Sequence, residues 1–263
     1  MNRSRYSVLL LLSILVSRQL IAEEIPVIAV ASNFAPVTEE ISRQFTALTG
    51  NDIRISAGAS GTLFRQIEAG APFELFLSAD ESYVQRLHEQ GLTIDNGRIY
   101  AVGVLVLYIP HTSHLDYMQN TEGIIRQIAL DKSCKLAIPN PELAPYGRAA
   151  QQVLNRFIIT NGLQGQGREI IGENVGQTAQ FALTGTVDAA FLPHSLAITP
   201  PMQEAGHFEP VPAEWYHPIM QRMVLLKNAG TVAKEFYNYL GSTTAQQIIK
   251  KFGYTIPEPV TED

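Results

Sequence analysis

The alternation of elements between residues 25 and 91 constrains this chain more than any other feature. "IPVIAVAS" reads as a strand; Val37, Ile41, Phe45 and Leu48 then recur at helical spacing, and Gly50 stops the helix. "DIRISAG" is a second strand, "GTLFRQIEAG" a short helix closed by Gly70, and "FELFLSA" a third strand. Asp80 is placed to cap "ESYVQRLHEQ", which Gly91 ends. Strand–helix alternation with such short connections predicts a parallel, doubly wound α/β sheet.

A long apolar strand, "YAVGVLVLYIP", follows, then Pro110 and a polar stretch. A second alternation starts at "KLAIPNPE". It continues through a helix over about 147–160, a strand at "REIIG", a helix over about 177–183 and the strand "VDAAFLP". Residues 200–218 are Pro-rich and read as irregular. "IMQRMVLLK" is a strand, and "VAKEFYNYL" and "TAQQIIKKFG" are helices. Two α/β lobes are expected, with the chain leaving the first near 102–108 and returning near 218–226, so that two crossing strands form a hinge. A cleft between such lobes is a usual place for a small ligand. One continuous α/β domain is the alternative.

The composition supports a globular protein: 46% of 263 residues are hydrophobic, enough for a sizeable core. "MNRSRYSVLLLLSILVSRQLIAEE" combines basic Arg3 and Arg5, an apolar run from Val8 to Val16, and Ala22 before acidic Glu23. This pattern predicts a secretory signal peptide over residues 1–22, with an uncleaved anchor as the alternative. Without Arg3, Arg5 and Arg18, sixteen basic residues face twenty-five acidic ones, a net charge of −9. Nucleic acid is therefore not an expected partner, and an anion site would have to work locally. Cys134 is the single cysteine, so no intrachain disulfide forms and cysteine-rich metal sites are excluded. It is expected to be a small buried hydrophobe in a periplasmic protein.

Four strand-to-helix junctions share one character: Ser32-Asn33, "SAGASGT" with Ser60 and Gly61, "ELAPYGR" with Tyr146 and Gly147, and "GENVGQT" with Asn174, Val175 and Gly176. A helix start exposes unpaired N–H groups and about half a positive charge, and such ends bind anions readily. Ser, Asn and Gly are also ordinary caps, so any one junction alone has a plain structural explanation. Two junctions from each lobe facing one cleft would make a donor-rich site. Only Arg148 borders these segments among basic residues. A site of many donors and few acceptors prefers a fully deprotonated oxyanion over one that still carries a hydrogen. Glu173 is the residue that would supply an acceptor.

Enzymatic readings are weaker. "GASGT" approaches a nucleophile elbow, but Thr62 stands where the last Gly belongs. None of the six histidines has the context of a triad with Ser60. His111 and His114, with Asp116 nearby, suit a solvated loop better than a metal site. Trp215 and Tyr216 are expected to pack rather than bind a sugar.

The chain resembles the periplasmic molybdate-binding proteins of ABC transporters. The resemblance rests on "VASNFAPVTEEISRQFTALTG", "ISAGASGTLFRQIEAGAPFELFLSADESYVQRL", "AIPNPELAPYGRAAQQVL" and "ENVGQTAQFALTGTVDAAFLPHS". It implies a two-lobed periplasmic-binding fold of type II, α/β with mixed, mostly parallel sheets and the cleft between lobes. Lobe I would take residues 23–104 plus 222–263, and lobe II 105–221. It also implies a receptor without enzymatic activity or cofactor, a monomer that closes on molybdate or tungstate and presents it to a membrane permease. Carried over from the family's pattern, the anion contacts are Ser32, Asn33, Ser60, Tyr146 and, through its backbone N–H, Val175. One branch of the family uses a Tyr on the later strand, where this chain has Pro193, and Ala where it has Tyr146; the Tyr146 hydroxyl is expected to compensate. Ala59 replaces the first Ser of the family's turn. A sulfate or other oxyanion receptor is the rival within the class, and a secreted hydrolase using Ser60 the rival outside it.

Overall fold

The computed structural model describes residues 25–157 and 167–257. The proposed signal peptide lies outside them, and the helix expected over 147–160 runs from Pro145 and ends at Arg156, with Phe157 as its C-cap. The first alternation gives β1 (Val27–Ala31), α1 (Ala35–Thr49), β2 (Arg54–Gly58), α2 (Ser60–Glu68), β3 (Leu75–Ser78), α3 (Glu81–Glu89) and β4 (Arg98–Gly103). The second gives β5 (Leu105–Pro110), α4 (Thr121–Leu130), β6 (Leu136–Pro139), α5 (Pro145–Arg156), β7 (Glu169–Gly172), α6 (Val175–Leu183) and β8 (Ala189–Pro193). Then come α7 (His194–Ala197), α8 (Pro200–Ala205), β9 (Gly206–Pro210), β10 (Ile219–Leu225), α9 (Thr231–Tyr239) and α10 (Thr243–Lys251).

These strands form two five-stranded sheets of matching plan, β2-β1-β3-β10-β4 and β7-β6-β8-β5-β9. In each, four strands run one way and one is reversed: β10 in the first sheet and β5 in the second. The reversed strands are the ones the chain enters immediately after passing between sheets. The period-two pattern of each strand splits its side chains between two cores. Ile28, Val30, Leu75, Leu77, Met223 and Leu225 face α1, α9 and α10. Ala29, Phe76 and Val224 face α2 and α3. In the second sheet, Leu107, Leu136, Ile138 and Phe191 face α4 and α5, while Val106, Ala137 and Leu192 face α6.

Four sequence expectations are revised. "YAVGVLVLYIP" is two strands, broken at Val104, and its halves belong to different sheets. The polar stretch after Pro110 contains α4, capped by the Asn120 side chain. The Pro-rich piece is ordered as α8, the edge strand β9 and a short 3-10 turn over Ala213–Trp215. β10 pairs within the first sheet from Ile219 onward, so the return passage lies between β9 and β10, ahead of the 218–226 segment. Asp80 caps α3 as expected, accepting from the Ser82 N–H at 2.8 Å.

Gly97 opens β4 with φ 61°, and a Cβ there would run into the Met223 carbonyl. Gly70 has φ 85° but open space around it. Gly70→Ala should therefore cost only the left-handed backbone penalty of about 1–2 kcal/mol. Gly97→Ala should cost clearly more in urea unfolding, because the β4–β10 pairing must also give way.

Candidate functional site

All five predicted residues line one small, tightly closed cavity between the sheets. Ser32 and Asn33 follow β1, Ser60 opens α2, Tyr146 lies in the first turn of α5, and Val175 opens α6. Ala31, Gly58, Ala59, Ala79, Ala144, Pro145 and Asn174 complete the wall. No residue in this lining carries a carboxylate, an imidazole or a basic group.

The helix starts explain what the cavity offers. α2 and α5 begin after Ala59 and Ala144, neither of which can cap with a side chain. Pro145 takes the first position of α5, where the missing N–H costs nothing. Three helix starts thus converge, each with main-chain N–H groups that have no partner inside the helix. Their dipoles together supply on the order of one and a half positive charges. The Ser60 hydroxyl oxygen accepts from the Ala79 N–H at 3.0 Å, which leaves its hydrogen available to an acceptor in the cavity.

Ser32-Asn33 differs from the expectation that it would cap its helix. The cap position of α1 is Phe34, with no side-chain cap bond, and the Ser32 N–H donates to the Gly58 carbonyl at 2.9 Å. Asn33 is 2% exposed. Its amide nitrogen donates to Gln221 Oε1 at 3.0 Å and to the Tyr254 hydroxyl at 2.9 Å. Both amide hydrogens are therefore committed away from the cavity. The Tyr146 hydroxyl accepts from Gln221 Nε2 at 3.3 Å. Tyr254 and Ser195 close this buried cluster: both hydroxyls lie 2.8 Å from the Asn33 carbonyl and 2.8 Å from each other.

Sequence reasoning missed Gln221, Tyr254, Ser195 and Tyr100. A signal existed for Gln221. It lies between Ile219 and Met223 on the buried alternation of β10, and a polar side chain in such a row must find partners inside the protein.

Burial governs the phenols of the cluster. It pushes Tyr100 and Tyr146 well above the usual tyrosine range, with the neighbouring Tyr254 adding to both. Burial likewise lifts Tyr254 to about 12. These groups remain neutral hydroxyls at neutral pH.

Contacts across the mouth join the two halves. The Gly61 N–H donates to the Leu143 carbonyl at 3.0 Å, the Tyr83 hydroxyl donates to the Glu142 carbonyl at 3.3 Å, and Arg148 pairs with Asp80. Arg148 thus faces Asp80 rather than the cavity, and Glu173 is exposed and absent from its lining. A wider depression is lined by Asp80, Glu81, Arg148, Gln152 and His217; its mixed charges suit solvent better than an oxyanion. Elsewhere, His114 lies between Asp131 and Asp188 at 2.6 and 3.2 Å. No group of metal-ligating side chains is found among the described residues. Cys134 is buried, and burial pushes its thiol to about 12. Trp215 packs edge-on against Phe157, and the Tyr216 hydroxyl accepts the Leu105 N–H at 3.1 Å.

A family profile described as bacterial extracellular solute-binding protein matches residues 26–255. The chain belongs to this family. Among relatives of this solute-binding protein, a molybdate-binding protein ModA of Rhodobacter capsulatus is 35% identical over 229 residues, covering 86% of each chain. The ModA of Azotobacter vinelandii is 34% identical over 230 residues, covering 86% of this chain and 88% of its own length. The solved structure of the Azotobacter vinelandii periplasmic molybdate-binding protein superposes with a TM-score of 0.81 at 31% identity, covering 89% of this chain and all of that one.

Each phenol of the cluster ionises less readily in the folded chain than in the unfolded one. Their contribution to stability is fully present below about pH 10, the unfolded value. It is lost as the pH rises from there through the folded values. Urea midpoints should fall more steeply between pH 9.5 and 11 for the parent than for Tyr254→Phe.

Proposed function

We propose that this chain is a periplasmic receptor that captures molybdate and delivers it to the permease of an ABC importer. The observation that carries the oxyanion reading is the cavity itself, where donors converge and no carboxylate, imidazole or basic side chain intrudes. The selection of molybdate rests on relatives named for it across nearly the whole chain. These relatives bind solutes, and the binding-protein reading displaces the hydrolase: Ser60 shares its cavity with no histidine. The sequence-based reading adds tungstate as a second ligand, a monomeric receptor, and export by residues 1–22.

The anion is held by the hydroxyls of Ser32 and Ser60 and by main-chain N–H groups at the starts of α2, α5 and α6, Val175 among them. Asn33, with its amide committed elsewhere, contributes its main-chain N–H. Tyr146 offers the N–H of its helix turn, and its hydroxyl serves from the wall. Because the donors are neutral dipoles, a dianion is stabilised without a partner charge. A hydrogen left on the anion finds no carboxylate to accept it, which disfavours protonated phosphate. Sulfate is the smaller tetrahedral dianion. In a cavity fitted to molybdate its bonds are stretched, and each buried charge-assisted bond lost costs roughly 1.5–3 kcal/mol.

The two sheets act as lobes that close on the anion. The lobe boundaries follow the sequence-based division, with the return placed just before Ile219 to match the pairing of β10. Closure assembles the Gly61–Leu143 and Asp80–Arg148 contacts.

Calorimetric titration of the anion-free protein with molybdate, tungstate, sulfate and phosphate tests this reading. Tight one-to-one binding of the first two with weak sulfate is expected, and silence from molybdate would discard the reading. Ser60→Ala should weaken molybdate binding roughly tenfold to a hundredfold. Asp80→Asn keeps a capping side chain for α3 and removes the charge of a partly exposed ion pair with Arg148 worth no more than about 1 kcal/mol. It should raise the molybdate release rate only a few-fold in stopped-flow exchange.

A further inference from the structure

Gln221 is fully buried on β10, just past the return passage between the sheets. Its carboxamide faces three partners. Oε1 accepts from Asn33 Nδ2 and from the Tyr100 hydroxyl, both at 3.0 Å, and Nε2 donates to the Tyr146 hydroxyl at 3.3 Å. Asn33 follows a strand of the first sheet, whereas Tyr146 sits on a helix that packs on the second. One amide therefore spans the two halves immediately behind the cavity.

Two features of β4 make this contact possible. The pairing of β10 with β4 shifts register between Gln221 and Arg222: Gln221 lies opposite Ala101 and Arg222 opposite Ile99. Tyr100 is thereby the extra residue of a bulge. Bulges re-aim side chains, and here the bulged Tyr100 turns its hydroxyl onto Gln221 and the Ser78 carbonyl, the latter at 3.3 Å. The second feature is Gly103. A Cβ there would occupy the place of the Tyr146 hydroxyl and come within 2.9 Å of Gln221 Nε2. β4 thus gives up regular pairing at Tyr100 and a side chain at Gly103, at the point where the amide meets its partners. A half-satisfied polar group at this depth would be costly.

We infer that Gln221 is a positioning residue for the anion site, holding the Asn33 turn of one half and the Tyr146 helix start of the other in a single arrangement. Gln221 does not line the cavity; it acts through Asn33 and Tyr146, which do. The inference rests on the molybdate reading given above. In this arrangement the fit of both halves around one anion depends on the amide keeping an acceptor toward Asn33 and a donor toward Tyr146.

The experiment is molybdate titration of the parent, Gln221→Met, Tyr146→Phe and the double variant, with the melting temperature of each measured without anion. Methionine keeps the length of the side chain and removes both polar ends. Gln221→Met should bind molybdate at least tenfold more weakly than the parent. The loss in the double variant should be smaller than the product of the two single losses, because the residues act through one contact. Parent-like affinity in Gln221→Met, even with a lowered melting temperature, would show a merely structural role and overturn the inference. So would strictly multiplicative losses. If Gln221→Met does not fold, Tyr100→Phe removes one bond to the same oxygen without touching Asn33 or Tyr146. A two- to fivefold weakening would then support the inference, and unchanged affinity would overturn it. A parent that fails to bind molybdate would instead remove the molybdate reading, and the inference with it.

Discussion

The molecule depends on the way its chain passes between sheets. Val104 separates two strands that would otherwise be continuous, and each half joins a different sheet. The passage is tied on both sides. The His194 N–H donates to the Val104 carbonyl at 2.9 Å, and the Leu105 N–H donates to the Tyr216 hydroxyl at 3.1 Å. Tyr216 belongs to the returning segment, so the two passages hold each other. From this constraint follows one reversed strand in each sheet, and with it the placement of Gln221 behind the cavity. The buried amide cluster and the converging helix starts lie where the strand ends of the two sheets are brought together.

On the receptor reading, the same constraint explains why the site needs no formal charge. Outside the expected signal peptide the chain is strongly acidic, which would repel an anion at long range. The cavity answers with short-range groups whose partial charges are fixed by the backbone. Ala59 and Ala144, unremarkable in the sequence, stand where a capping side chain would otherwise compete for the same N–H groups. Two polar side chains near these helices point elsewhere: Asn33 into the buried cluster, and Arg148 across the mouth to Asp80.

The sequence was most legible where the physics is local. The Asp80 cap, the first three strands and the four junctions each depend on residues within a few positions of one another, and each falls where the pattern placed it. β9, "GHFEP", has no alternation and only Phe208 as a strand-forming residue; it is a strand because β5 offers it an edge, where Pro210 is tolerated. The long apolar run was misread because hydrophobicity cannot mark a change of sheet. Beyond the Gln221 signal, the cluster behind the cavity was out of reach for a related reason. Asn33 and Tyr254 are 221 positions apart, and only their shared depth in the fold brings them together.

The neutrality of the cavity has a consequence for unloading. A binding protein that grips its cargo with carboxylates or imidazoles can be made to let go by a change in local acidity. On the receptor reading every gripping group is a hydroxyl or a main-chain amide, and the phenols behind them hold their protons up to strongly alkaline conditions. On the receptor reading, no proton needs to move for the anion to enter or leave. Release is then a mechanical event: whatever docks at the mouth must pull the halves apart, doing work against the contacts that bridge them.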